Sequence, residues 1–566
     1  MSSPKGIFMR NLKRFAALVL FAALCLTCLT GCDTDGDAFS LSAAVGQAPQ
    51  TLDPIYARQV SEQTVIVHLY ENLMKRSVDA EGNVTSVYGM AKSVDQETNV
   101  DGSVTYTFRL RSARWSDGKA VKAEDFVYAW QRLADPASAS PYAELMQVVC
   151  GYTQARESGD MSLLQVTAKN DTTLIVNLTG NYDWFLSDVC TAPATVPLRR
   201  DKVPPPVKEA AEAVEVAAAE EEWWADAESL VGNGAYLVTE YDEGSALTLT
   251  ANEEHYNHGK QNNPARITLR FADAAEGAAL YENGDVDVLW PLTDEAYTAR
   301  LGEEGFEPIP TLSTYTLLFN TAAYPFWDQT IAQAVVKALD REALAAAAGV
   351  TAQAAEALVP YGVPDSEEKD FRTCAGSLVD TAPELYAQNC VEAMDLLRNA
   401  GYESGADFGQ LQYLYVDEGN AAAVAAELCR QLRSVLEMQI TPCAVTEEEL
   451  ETAFAEKTFT VAAKNVTALC NDAECFLLDW ASTSPNNVVG YANSAYDTLM
   501  SIIAGAPDGT ARLGCLHDAE ELLISDAALT PLYTTCTTWE VRQTLQGALR
   551  DARGWFSFAG VTQRQA

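Results

Sequence analysis

Histidine is scarce: the 566-residue chain has four. His68 and His517 stand alone. His255 and His258 lie three apart after two acids, a pattern that fits a surface loop better than a metal site. Basic residues are also few, 38 Lys and Arg against 79 Asp and Glu, for a net charge of −41. Four of the 38 precede Cys32 and no acid does. The rest of the chain therefore carries 34 basic against 79 acidic residues, a net charge of −45. Such a surface disfavours nucleic acid and anionic lipid head groups. The sequence has no G-x-S-x-G or other nucleophile motif. Gly232-Asn233-Gly234 lacks the Gly-Lys-Ser/Thr ending of a phosphate loop and leads into a strand. Acidic pairs are too abundant to mark a glycosidase dyad. The cysteines have no zinc-ligand spacing with histidine. No catalytic, metal or cofactor site is read from the sequence, and the chain is read as a non-enzyme.

Long apolar runs are missing after the first 30 residues. Lys5, Arg10, Lys13 and Arg14 lead into Phe15–Leu29, which has the length of a signal peptide and is short of the ~20 residues of a stable span. The run ends in Leu29-Thr30-Gly31-Cys32. The small residues let a peptidase approach, and the thiol accepts a lipid. This resembles a bacterial lipobox, with Cys32 as the lipidated first residue. Residues 1–31 are then the signal peptide and 32–38 a tether. The protein is placed outside the cytoplasm, periplasmic or extracellular, lipid-anchored to the cell membrane. That location permits disulfides. Cys374–Cys390 and Cys470–Cys475 are the nearest plausible pairs, with connectivity left open.

What remains is globular, with 48% hydrophobic residues, and too long for one core. Strands are read at Phe39–Val45, Val104–Leu110, Asp171–Leu178, Leu247–Ala251, Ile267–Phe271, Tyr315–Asn320 and Thr530–Thr535. Helices are read at Val60–Leu73, Val207–Glu222, Ile331–Leu339, Ala421–Leu436 and Cys515–Ser525. The most informative stretch is Val104–Tyr142, VTYTFRLRSARWSDGKAVKAEDFVYAWQRLADPASASPY. Tyr106, Phe108 and Leu110 alternate with polar residues, as in a half-buried strand. Asp117-Gly118 makes a turn. Phe126, Trp130 and Leu133 then share one helical face, and Pro136 ends the helix.

This stretch resembles the TYTFxLR strand and WSDGxxVxAxDFVYxWxRLADPxxASPY run of bacterial extracellular solute-binding proteins of family 5. These are the oligopeptide-binding lipoproteins of ABC importers. Leu52-Asp53-Pro54, Leu69–Leu73, Gly232–Tyr236, Tyr324–Asp328 with Asp340-Arg341, and Ala393–Tyr402 also match the family's pattern. Ala332 stands where a second Arg is usual. The resemblance implies an α/β fold of two lobes, periplasmic-binding-protein-like (class II, cluster C type). It implies mixed sheets, two hinge crossings and an extra subdomain in lobe I. The boundaries read are lobe I at 39–309 with the subdomain at about 75–205, lobe II at 310–528, and a return to lobe I at 529–566. The implied function is capture of oligopeptides in a closing cleft and delivery to an ABC permease. The protein is then a monomer that binds no nucleotide or nucleic acid. Another solute (a modified peptide, metal chelate or oligosaccharide) and a sensory lipoprotein on the same fold stay open.

The resemblance places Tyr142, Arg58 and Val60 in the cleft, with Tyr315 and Tyr533 near it. The family's anchor for a peptide amino group is an Asp in an F-x-V-x-R-x-x-W-x-x-D-Y-N-x-P run, which aligns with Phe459–Ala473. Here Ala463 replaces the Arg, Val466 the Trp and Leu469 the Asp. Lys464 stands nearby to meet an anion, and Asp472 or Asp479 is a replacement acid if the loop shifts. Two readings follow: a peptide held differently, or another class of ligand.

Overall fold

The computed structural model describes residues 39–564 apart from 80–81, 207–222, 226–229, 243, 260–262, 304–305, 307, 367–368 and 506–508. The signal peptide, Cys32 and the helix read at Val207–Glu222 lie outside the described residues. Two six-stranded mixed sheets organise the chain from Ser40 onward. In the first, Ser40–Val45 runs parallel to Arg266–Arg270 on one side and Val288–Trp290 on the other. Ala246–Ala251, Tyr236–Asp242 and the short Glu540–Val541 add antiparallel strands. In the second, Ile309–Phe319 pairs antiparallel with Leu529–Thr537 and Val461–Thr467. Gln410–Val416 is parallel to both Val461–Thr467 and Gln439–Val445. Ala352–Ala354 forms the other edge.

The chain crosses from the first sheet to the second between Trp290 and Ile309, and crosses back between Thr537 and Glu540. The return comes later than the sequence reading put it. Leu529–Thr537 stays in the second sheet because Leu529 and Leu532 are buried there and its ladder with Ile309–Phe319 is satisfied. Among the described residues no helix is long and apolar enough to cross a membrane.

A four-stranded antiparallel sheet carries the Val104–Leu110 strand between Ala91–Thr98 and Thr173–Leu178. Tyr106, Phe108 and Leu110 are buried as the alternation requires. Gly118 takes φ +84° in the turn, which glycine adopts without a Cβ clash. Asp117 accepts from Lys119 N at 3.1 Å. The helix runs Ala123–Ala134 and buries Phe126, Trp130 and Leu133 beside Phe108 and Trp115. Its Arg132 reaches 79 residues back to Asp53 through two bonds of 2.8 and 2.6 Å. This buried pair fixes the Leu52-Asp53-Pro54 turn.

The helix read at Val60–Leu73 ends at Leu69. Tyr70 is extended, and the following residues enter the Met74–Val78 hairpin strand. Asp328 and Asp340, inside motifs read from the sequence, are N-caps: their carboxylates accept from Thr330 N and Ala343 N. Ala332 is buried in the second lobe's core.

Candidate functional site

A cavity of about 260 Å³ lies between the lobes and is lined from both. The first lobe supplies Ala57, Arg58, Gln63, Tyr142 and Leu145; the second supplies Thr311–Ser313 and Thr467–Leu469. The strand Ile309–Phe319 leaves its register with Leu529–Thr537 between Pro310 and Thr314. Such an irregularity turns a strand, and here it sets Thr311, Leu312 and Ser313 on the cavity wall. The last segment of the chain closes the site with Arg550, Arg553, Gly554 and Trp555. Gly554 has φ +111°, and a Cβ there would lie 3.9 Å from Val60 Cγ2.

The residues singled out from the sequence fall into two groups. Arg58, Tyr142 and Leu469 line the cavity. The Tyr142 hydroxyl donates to Ala57 O at 2.6 Å and accepts from Gln63 Nε2 at 2.9 Å, so it braces the wall and offers its ring to the interior. Burial pushes its pKa up to about 12, and the phenol stays neutral. Val60 lies behind Gly554.

Tyr315, Tyr533, Val466 and Lys464 are not on the wall. Tyr315 and Tyr533 stack at 4.9 Å in the second lobe's core, where Tyr315 meets the Tyr413 hydroxyl at 3.4 Å. They alternate inward on adjacent strands, so their faces are used by packing. Val466 packs on the second lobe's other apolar cluster. Lys464 turns to Phe454, 5.1 Å from the ring centre, and to Glu451 at 3.9 Å.

Neither replacement acid takes Leu469's place. Asp472 is held by Arg512 at 2.7 Å. Asp479 accepts from Asn486 Nδ2 at 3.1 Å and lies outside the cavity lining; burial raises its pKa. His255 and His258 lie in a run of turns at the surface, with His258 exposed and the His255 side chain turned inward. His255 is buried, 3.4 Å from Glu71 and 4.3 Å from the Tyr256 ring centre. The ten cysteines of the described chain are free thiols, those of Cys374, Cys390, Cys470 and Cys475 included.

Sequence reading missed Arg550, Arg553 and Trp555. They lie in two-residue strands and turns that have no periodicity to detect.

Direct links join the lobes around the cavity. Arg58 reaches Glu447 at 3.5 Å, Asn471 N donates to Asp188 Oδ1 at 2.9 Å, and Trp184 Nε1 donates to Glu474 Oε2 at 3.1 Å. A larger hollow, about 760 Å³, lies wholly on the second lobe. Its Lys337 is taken by Asp380 and Glu392 at 3.2 and 3.0 Å. A site on one lobe does not change when the lobes close, so the interlobe cavity is the better candidate.

Comparison with known proteins agrees with this geometry. The chain is 27% identical over 492 residues to the probable deoxycholate-binding periplasmic protein YgiS of Escherichia coli K12, covering 86% of each chain. It is 28% identical over 514 residues to the periplasmic oligopeptide-binding protein OppA of Haemophilus influenzae, again 86% of each. The crystal structure of H. influenzae OppA in complex with RPPGFSPFR superposes with a TM-score of 0.69 at 26% identity, over 93% of this chain and 99% of that one. The family model described as the middle part of the bacterial extracellular solute-binding proteins, family 5, matches residues 85–487. With its two mixed-sheet lobes and the cavity between them, the chain belongs to the bacterial extracellular solute-binding proteins of family 5.

Proposed function

We propose that this protein captures peptides or peptide-like solutes in its interlobe cleft and delivers them to the permease of an ABC importer. The observation that carries the reading is the cavity walled by both lobes, with polar links between the lobes around it. Opening the lobes admits a solute, and closing them buries it. Energy for transport comes from the importer's ATPase, and this chain performs no chemistry of its own. Its two lobes span 39–309 and 310–537, with the tail returning to the first. Cys32 carries the lipid that holds it on the outer face of the membrane.

A second reading, a solute other than a peptide, is favoured by Leu469. It lines the cavity, and the sequence resemblance aligns it with the family's amino-group anchor. The E. coli relative described as probably deoxycholate-binding supports it too. Thermal shift of the purified protein against free and N-acetylated peptides tests the first reading. Ligand raises the melting temperature by mass action, and a library without a single stabilising peptide would leave only the second. Loss of membrane association in Cys32→Ala, read by fractionation, tests the anchor.

A further inference from the structure

Among the described residues no carboxylate lines the interlobe cavity, although the chain has 79 acids. The charged residues on its wall are Arg58, Arg550 and Arg553. Arg553 is committed: it pairs with Asp551 at 2.7 Å and donates to Asp188 O and Thr191 Oγ1 at 2.8 and 2.9 Å. Arg58 points outward to Glu447.

Arg550 differs from both. Its guanidinium lies 5.5 Å from the Phe556 ring centre and 6.0 Å from that of Trp290. Aromatic faces attract the charge and leave the in-plane N–H donors free. Its Nε is buried without an acceptor, and among the described residues it makes no ion pair. Burial pulls its pKa down to about 10. Trp555, 2% exposed, also lines the cavity, and its indole N–H has no acceptor. A buried donor without an acceptor costs the full desolvation of the group; other buried side-chain atoms among the described residues share that state, but these two belong to neighbouring residues on one cavity wall.

We infer that Arg550 and Trp555 form a subsite for the carboxylate of the ligand, which the protein holds by its anionic end. The inference rests on the solute-capturing role proposed above and specifies its ligand. The cavity's apolar lining, Leu145, Pro193, Leu312 and Leu469, takes a nonpolar body. A free ammonium group finds no acid there, and burying it unpaired is costly. The volume falls below the roughly 300–1,000 Å³ of common small-molecule sites. The ligand class is therefore a short, largely apolar carboxylate, of which an N-blocked dipeptide with a free C-terminus is one form.

Isothermal titration of the full chain tests this with two matched pairs of probes. One pair is N-acetyl-Leu-Leu and its C-terminal amide; the other is 4-phenylbutyrate and 4-phenylbutyramide. In the unaltered protein the acid of at least one pair should bind roughly 10- to 100-fold more tightly than its amide, the worth of a charge-assisted hydrogen bond. In Arg550→Gln the two should come within about threefold of each other, and Arg550→Lys should recover part of the difference. Equal binding of acid and amide by the unaltered protein overturns the subsite, and that comparison does not depend on any variant folding. Discrimination that survives in folded Arg550→Gln also overturns it. Peptide binding that ignores the C-terminal charge sinks the subsite and keeps solute capture. Binding of phenylbutyrate but of no peptide keeps the subsite and sinks the peptide reading. No binding by any probe, with free peptides also silent, sinks both.

Discussion

Trp184 donates its indole N–H to Glu474 Oε2 at 3.1 Å, a buried bond between the first lobe and the second. Glu474 is also held by Arg512 at 2.6 Å, which pairs in turn with Asp472 at 2.7 Å. The second lobe therefore sets the carboxylate in position, and the first lobe supplies one donor to it. Opening the cleft breaks that bond and leaves the ion pairs within the second lobe intact.

Trp184→Phe keeps most of the ring and removes the donor. A hydrogen bond to a charged group contributes about 1.5–3 kcal/mol, and here the loss falls on closure rather than on folding. The variant should melt close to the parent. Its ligand-free form should show a larger radius of gyration by small-angle X-ray scattering. An unchanged radius would mean that this bond does not bias the lobes.

Leu469→Asp introduces a carboxylate on the cavity wall. The parent should bind the N-acetylated form of a peptide at least as tightly as the free form, because no acid on the cavity wall meets the ammonium group. In the variant the free form should gain roughly tenfold over the acetylated one, a modest return for a partly solvated ion pair. A parent that already prefers free amino ends strongly would show that another acid serves as anchor.

His68 links the Val60–Leu69 helix to the chain's end. Its Nδ1 donates to Thr64 O at 2.6 Å and its Nε2 accepts from Phe558 N at 2.9 Å, which fixes the neutral tautomer. Burial lowers its pKa from 6.5 to about 4. Because the folded value lies below the unfolded one, the unfolded chain binds more protons between the two. Stability from this group is fully present above pH 6.5 and is lost as pH falls toward 4. His68→Gln should flatten that part of the melting-temperature profile. A parent and variant with parallel profiles from pH 7 to 4 would rule out His68 as the group responsible.

The legible parts of the chain were those whose signals are local. The Val104–Leu110 strand, the Asp117-Gly118 turn and the Ala123–Ala134 helix each carry their period or turn chemistry within a few residues. The site was legible only where it continues such a motif. Tyr142 ends one, and Arg58 and Leu469 sit in others. Arg550 ends one two-residue strand and Trp555 directly precedes another, near the end of the described chain, and long-range packing against Trp290 and the Val60–Leu69 helix places this segment on the cavity. Tyr315 and Tyr533 show the opposite failure. Aromatic residues on a central strand read as readily for a ligand face as for a core face until the register is known.

Two ion pairs of similar composition should behave in opposite ways. Arg58 and Glu447 meet at 3.5 Å with side chains 60% and 68% exposed. Such a pair contributes about 0–1 kcal/mol and is screened by salt. Arg58→Ala should leave the melting temperature nearly unchanged and make ligand affinity less dependent on salt, since the bond forms between lobes. Arg372 and Glu520 lie inside the second lobe, 1% and 0% exposed. Arg372 Nη1 reaches Glu520 Oε1 and Oε2 at 2.9 and 2.8 Å, and Val359 N donates to the same carboxylate. Removing one partner of a buried pair leaves an unpaired charge and costs about 3–5 kcal/mol. Arg372→Ala should therefore lower the denaturation midpoint sharply at any salt concentration. Equal, small effects from both substitutions in denaturant titrations would contradict the burial assigned to the second pair.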